Sequence, residues 1–358
     1  MKRGLLFKFL LLLAVQPAAS TAAPDSAATA VDPRLVAELT RFDADEHPDL
    51  QGVVVMREGR IVAERYFNAA TADTLFDARS AGKSITALLV GIAIDQGAIR
   101  SVDDPVATYW PEAANSAIGD VHLRDVLTMR SGLAAFDDDP DSPGNEDLMD
   151  AAADPLAFVL SVPRADPPGT RYRYNSVTAY VAGVVVAKAT GRSMAEFARG
   201  ALFEPLGITQ WRWASDASGY TKGQGNLALS TRGLATIGEL VRQNGRFGDR
   251  RILSAAWLGA ALAPTVGIAD EDPYADGYGY FWYEKTQQIG GQPVAVSFAS
   301  GNGGNKIYVV PSRRLVVAIT STAYGHGYGQ RRSEQILRTL LEHDGLAAPV
   351  RNLRPAGP

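Results

Sequence analysis

The sequence predicts an α/β (α+β) protein whose strands come from both ends of the chain and whose middle is helical. Three observations carry this. Gln51–Phe67, QGVVVMREGRIVAERYF, is two β-branched runs around Arg57–Arg60 and reads as a hairpin turning at Glu58-Gly59. From about Val102 to Leu262 helical patterns dominate, among them LRDVLTM, AYVAGVVVAKA, MAEFARGALF, RGLATIGELVRQ and AAWLGAAL, separated by Gly- and Pro-rich loops. The end returns to strands in PVAVSFA, KIYVVP and RLVVAITST, followed by a helix near Arg331–Glu342. Strands from such distant segments close one sheet around an inserted helical region. No internal repeat interrupts this plan.

Within it, Ser80–Gln96 has apolar residues at 85, 88, 89 and 92, with Val90 and Ile94 filling the other side. A helix apolar almost all round is a buried one, and Gly97 is a natural stop. Ser80 therefore opens a central helix.

The chain is 358 residues long, 46% hydrophobic and 21% charged, enough for a substantial core. A formal charge of −4 with no block of basic residues excludes an electrostatic footprint for nucleic acid. At the N-terminus, Lys2 and Arg3 precede the apolar run Phe9–Val15 and small residues suited to cleavage near Ala22 or Ala23. That is the layout of a secretory signal peptide, and the run is too short for a lasting membrane anchor. The expected organisation is a signal peptide over 1–23, a lead-in over 24–45, a folded domain over 46–346 and a tail over 347–358. Within the domain, the sheet is expected from about 50–70 and 290–345 and the helical region from about 100–265. The protein is expected to be periplasmic or secreted, without a stable membrane span. It has no cysteine, so its stability rests on its core.

The segment Arg79–Thr86, RSAGKSIT, poses a choice between two chemistries. A phosphate-binding loop needs Gly five residues before Gly-Lys-Ser, and that place holds Asp77, a carboxylate where backbone N–H groups would wrap a phosphate. Ser-x-x-Lys fits better. Residues three apart share a helix face, so the Lys83 amine can reach the Ser80 hydroxyl. A helix N-terminus also favours a developing alkoxide or oxyanion.

An acid/base from another segment is offered by PPGTRYRYNSVTAYVAG, which presents Tyr174-Asn175-Ser176 on a loop entering a helix. A phenol flanked by cations gives up its proton more readily. A third piece is SGNGGNKIYVVP, whose glycines at a strand's start let backbone approach a ligand, so that an N–H there completes an oxyanion hole with that of Ser80.

Other features read as structural. Asp137, Asp139 and Asp141 alternate like a calcium loop, but Ser142 stands where Gly is needed and Leu148 where a bidentate Glu is needed. A solvated loop is the expectation. Tyr66-Phe67-Asn68 sits at a strand end, and for Trp282, Tyr280 and Tyr283 core packing is the expectation, with an acyl pocket as the alternative. Of the four histidines, His326 is the one placed to approach a cleft.

Taken in order, FDARSAGKSITALLVGIAIDQGAI, SVDDPV, LRDVLTMRSGL, PPGTRYRYNS, LFEPLGI, GNLALSTRGLATIG, GYGYFWY and SGNGGNKIYVVPSRRLVVAIT resemble the serine β-lactamase and penicillin-binding-protein superfamily. The resemblance is to its class C-like branch of esterases, D-aminopeptidases, DD-peptidases and 6-aminohexanoate-dimer hydrolases, over roughly residues 50–345. It implies a β-lactamase/transpeptidase-like fold, an antiparallel sheet flanked by helices with a helical region beside it and the active site between. It also implies that Ser80 is the acylated nucleophile, Lys83 its lysine and Tyr174 the tyrosine of the Tyr-x-Asn motif. Two departures stand out. Ser176 replaces the motif's Asn, and Asn302-Gly303-Gly304 stands where β-lactamases of this branch have Lys-Thr-Gly. Both point toward the esterase and oligoamide-hydrolase side. The oxyanion donor lies among Asn302, Gly303, Gly304 and Asn305.

The expected function is an exported serine hydrolase acting on a small ester, amide or peptide, with no metal or cofactor required. A β-lactamase or DD-peptidase proper, or a non-catalytic binder of cell-wall fragments, are the alternatives. Ser-His-Asp chemistry on an α/β-hydrolase fold lacks its Gly-x-Ser-x-Gly elbow.

Overall fold

A computed structural model of the chain describes residues 31–44 and 46–345. The expected signal peptide, the first part of the lead-in, and the tail lie outside the described residues.

The N-terminal hairpin forms as its sequence predicts. Strands β1 (Leu50–Arg57) and β2 (Arg60–Tyr66) pair antiparallel with Arg57 opposite Arg60. Glu58 and Gly59 make the turn with φ of 52° and 81°, the left-handed pair that a two-residue hairpin requires. Three short strands, β3 (Phe76–Asp77), β4 (Arg212–Trp213) and β5 (Leu227–Leu229), form a small sheet in the order β3-β5-β4. Strands β6 (Arg246–Phe247) and β7 (Arg250–Arg251) form an isolated hairpin.

The remaining strands are β8 (Val266–Gly267), β9 (Gly277–Tyr278), β10 (Tyr283–Ile289), β11 (Gln292–Gly301), β12 (Asn305–Val310) and β13 (Leu315–Ser321). With the hairpin they build one eight-stranded sheet in the order β2-β1-β13-β12-β11-β10-β9-β8. Its paired strands are antiparallel, and β1 pairs with β13 from the far end of the chain. The sheet extends earlier than about residue 290, because Tyr283–Ile289 (YEKTQQI) is a strand despite carrying few apolar residues. Its buried positions, Tyr283, Gln287 and Ile289, include a glutamine that donates to Glu334.

Ten α-helices accompany the sheet among the described residues: α1 (Pro33–Thr40), α2 (Ala81–Asp95), α3 (Leu123–Leu127), α4 (Glu146–Ala151), α5 (Pro155–Ser161), α6 (Ser176–Thr190), α7 (Met194–Ala198), α8 (Thr231–Arg242), α9 (Ala255–Leu262) and α10 (Tyr328–Gly345). Helix α2 is buried from Ala81 to Ala93, as its all-round apolarity demands, and Gly97 follows its end at φ 75°. Ridges pack closely on the sheet. A side chain at Gly238 of α8 would collide with Val316 and Ile307, whereas Tyr308, the next residue along β12, turns the other way toward Glu334 and Leu337 of α10. Alternation along β12 thus buries both faces, α8 on one and α10 on the other. No helix among the described residues is long and apolar enough to cross a membrane.

Candidate active site

A cleft of about 830 Å³ opens between the end of β11 in the main sheet and the helical region, and Ser80, Tyr174, Asn302 and Gly303 all line it. Ser80 occupies the N-cap of α2, yet its hydroxyl makes no capping bond. It is directed instead at Lys83, whose Nζ lies 3.0 Å from Ser80 Oγ. The turn that delivers it is strained: Arg79 holds φ 51°, a region a non-glycine residue enters only when its surroundings compel it. Asp77 supplies that compulsion. Its carboxylate accepts from the Arg79 N–H at 2.8 Å and from Asn226 Nδ2 at 3.2 Å, while the Arg79 guanidinium stacks 4.1 Å over Tyr324.

Lys83 is only 2% exposed, and three acceptors surround its amine: Ser80 Oγ, Ser176 Oγ at 2.9 Å and the Gln224 carbonyl at 2.9 Å. The ring of Tyr174 lies 5.0 Å from the same nitrogen. Burial disfavours the ammonium, but the Tyr174 phenol and the carboxyls of Glu146 and Asp137 outweigh it and hold the Lys83 pKa above the ordinary lysine value.

Those two acids belong to the loop expected to be solvated. The structure instead ties it down: Asn145 donates to the carbonyls of Asp137 and Asp139 at 3.1 Å each and caps α4 through Asp147 N–H. Asp137 and Glu146 consequently line the cleft, and burial pushes both carboxyls up, opposed by the Lys83 charge. Both interact with the Ser176 hydroxyl. The sequence signal that would have found them is Asn145-Glu146-Asp147, an N-cap followed by acids, which marks a helix start rather than a free loop.

The structure separates the substrate-side candidates. Ser176, the first residue of α6, is fully buried and touches Lys83, so its hydroxyl orients the amine rather than a ligand. Asn175 caps α6, accepting from Thr178 N–H at 2.7 Å, which sets both Tyr174 and Ser176. Asn302 accepts from Gly325 N–H at 2.8 Å, and Gly303 sits beside it with φ 84°. Gly304 turns toward α10, where a side chain would meet the Gly329 carbonyl at 2.3 Å. Asn305 is fully buried and cross-links to Ser321 on β13 through both its amide atoms, at 3.0 Å each. Neither Gly304 nor Asn305 lines the cleft.

Gly301 is the glycine that meets the Ser80 turn. A Cβ there would lie 2.1 Å from the Ala78 carbonyl and 3.2 Å from the Ala81 nitrogen, so β11 runs directly against the turn carrying Ser80. His326 and Tyr283 also line the cleft, whereas Trp282 is buried in the core and Tyr280 packs on Trp257 at 5.3 Å. The Tyr-x-Asn match at Tyr66 is structural: Asn68 Nδ2 donates to the Leu50 carbonyl at 2.8 Å.

The sheet order, the helical region beside it and the cleft between them define a β-lactamase/transpeptidase-like fold. The family described as Beta-lactamase matches residues 42–341, and the chain belongs to it. The 6-aminohexanoate-dimer hydrolase of Paenarthrobacter ureafaciens is 25% identical over 264 residues, 67% of this chain and 67% of that protein. Among solved structures, EstCE1, a hydrolase with promiscuous acyltransferase activity, superposes with a TM-score of 0.71 at 17% identity, covering 87% of this chain and 98% of the other. A family VIII carboxylesterase gives 0.69 at 20% identity, covering 86% and 98%. The chain is thus a hydrolase-family protein of β-lactamase fold.

Proposed function

We propose that this protein is an exported serine hydrolase that cleaves an ester or amide of a small acid through an acyl-enzyme on Ser80. The observation that carries the reading is the placement of Lys83 Nζ 3.0 Å from Ser80 Oγ and 5.0 Å from the centre of the Tyr174 ring, with Ser80 and Tyr174 both lining an open cleft. A helix-start serine whose hydroxyl is bonded to a buried amine, instead of to its own helix, is arranged for nucleophilic attack.

In the proposed reaction Ser80 Oγ adds to the substrate carbonyl carbon, and its proton passes to the Tyr174 oxygen, ionised beside the Lys83 ammonium. The oxyanion is held by backbone N–H groups at the start of α2 and at the end of β11, where the Gly301 backbone abuts the Ser80 turn. Collapse of the tetrahedral adduct breaks the bond to the leaving group, which takes a proton from Tyr174. Water, deprotonated by the same pair, then displaces Ser80 and releases the acid. The esterase and oligoamide-hydrolase names among the relatives support an ester or amide bond, and the apolar N-terminal leader in the sequence supports export.

Ser80→Ala tests this directly. Wild-type protein is expected to hydrolyse p-nitrophenyl butyrate and to be labelled covalently by a fluorophosphonate probe, and the variant to do neither. Undiminished labelling in Ser80→Ala would refute the assignment.

A further inference from the structure

The turn that joins β11 to β12 is held by its carbonyl groups, and the donors come from α10 and from the turn itself. The Gly301 carbonyl accepts from Gln330 Nε2 at 2.9 Å and from the Gly304 N–H at 3.1 Å. The Asn302 carbonyl accepts from Asn305 Nδ2 at 2.9 Å, and the Gly304 carbonyl from Ser333 Oγ at 2.7 Å. Gln330 and Ser333 stand three apart on α10 and share the helix face that meets the turn. While these carbonyls are held, the Asn302 N–H has no acceptor among the described residues, and Asn302 lines the cleft together with Ser80 and Gln330.

One peptide unit connects these facts. The Gly301 carbonyl and the Asn302 N–H belong to the same planar trans unit and point in opposite directions. The bond that holds the carbonyl toward α10 therefore turns the N–H away from α10, at the end of the strand that abuts the Ser80 turn. Donation to the carbonyl also polarises the amide and makes its N–H a better donor, by about 10–30% per bond. The Gly304 N–H is present whatever residue stands at 330, so Gln330 is the adjustable partner. A carbonyl oxygen only accepts, so the Gln330 amide must turn its nitrogen to Gly301. Its Oε1 is left buried with no hydrogen-bond partner among the described residues. An orphaned acceptor is costly, and an apolar side chain of similar length would fill the space without it, so packing alone does not call for glutamine here.

We propose that Gln330 is a positioning residue for acyl transfer: through the Gly301 carbonyl it aims and strengthens the Asn302 N–H as a donor to the oxyanion. This rests on the acyl-enzyme reading and adds to it a residue of α10 that acts through the backbone. The negative oxygen exists in the tetrahedral adduct and not in the bound ester, so the contribution belongs to kcat rather than to KM. Gln330 carries no titratable proton, so its removal leaves the pH dependence of kcat/KM in place.

The test compares p-nitrophenyl butyrate with O-p-nitrophenyl thionobutyrate, in which sulfur, a weak hydrogen-bond acceptor, replaces the carbonyl oxygen. Wild-type protein is expected to favour the oxygen ester by more than alkaline hydrolysis of the same pair does. Gln330→Met is expected to lower kcat on the oxygen ester by roughly 3- to 30-fold, short of the factor of about 10² to 10³ that follows loss of an oxyanion donor itself. KM should change little, and the preference for oxygen over sulfur should fall by a similar factor. Gln330→Glu, whose ionised carboxylate accepts but does not donate, should lose at least as much. The oxygen-to-sulfur ratio is read on one active population, so it does not depend on how much of a variant folds. A wild-type preference no greater than that of hydroxide would overturn the proposal. So would a preference in Gln330→Met equal to the wild type's, even with a lower kcat, because a purely structural cross-link would slow both esters alike. Failure of the acyl-enzyme reading has a different signature, since cleavage of the oxygen ester would then survive Ser80→Ala.

Discussion

The chemistry of the site depends on how one amine is held. Lys83 divides its hydrogen bonds among the Ser80 hydroxyl, the buried Ser176 hydroxyl and the Gln224 carbonyl, and each fixes a different direction of the nitrogen. Ser176→Ala removes one of them and leaves Asp137 and Glu146 without the hydroxyl they share. The expected outcome is a fall in kcat of about tenfold or more, near the worth of one hydrogen bond to a charged group, with KM changing less. Steady-state kinetics on p-nitrophenyl butyrate checks it. Glu146 acts on the same amine through its charge. Because that carboxyl helps hold the Lys83 pKa up, Glu146→Gln should lower it, and the limb of the kcat/KM pH profile that reports Lys83 should move to lower pH. A profile that stays in place would show that Glu146 does not govern the amine. The residue-level lesson is that the proximity of Ser80, Lys83 and Tyr174 is legible from spacing and residue type, whereas that of Asp137 and Glu146 is not. Their acidity suggests solvent, and only Asn145, which ties the loop to its own backbone, turns them inward.

At the scale of elements, two segments must approach more closely than side chains ordinarily permit. Helix α2 and the segment before β5 meet at Gly82 and Gly225, where a Cβ on Gly82 would stand 3.2 Å from the Gly225 Cα. This contact brings the Gln224 carbonyl to Lys83. Strand β11 meets the Ser80 turn at Gly301 in the same way. Gly301→Ala places a methyl group 2.1 Å from the Ala78 carbonyl, so strand and turn must part. Loss of an oxyanion donor lowers kcat by about 10² to 10³, and a fall of that order is expected here, with far-ultraviolet circular dichroism retained. A variant with wild-type kcat would remove Gly301 from the oxyanion site. The glycine-rich run announced a close approach in the sequence, but not which glycine makes it. Gly301, Gly303 and Gly304 are chemically alike, and the hairpin register, Gly301 opposite Asn305, decides that the first faces α2 and the last faces α10.

For the whole molecule, the buried cation at Lys306 costs stability near neutral pH. Its folded pKa of about 8 lies below the ordinary lysine value of 10.5, so between those two values the unfolded chain binds more protons than the folded one. Stability from this group therefore rises with pH across that window, and below about pH 8 the charged side chain destabilises the fold. Lys306→Met should accordingly stabilise the protein at pH 7 by about 1–3 kcal/mol, seen as a higher Tm. The gain should shrink as pH approaches 10.5, and a lower Tm at pH 7 would contradict it.

The sequence by itself determined the hairpin, the buried helix opened by Ser80, the strands at the chain's far end and the Ser-x-x-Lys pair. These rest on periodicity, turn chemistry and spacing along one element, which are local properties. Only the tertiary structure decided that Tyr283–Ile289 is a strand, that Ser176 bonds to Lys83, that Gly301 is the glycine against the Ser80 turn and that Lys306 is buried. Each of these depends on which distant segments pack together, and packing draws on contacts between residues whose separation in sequence carries no periodic signal.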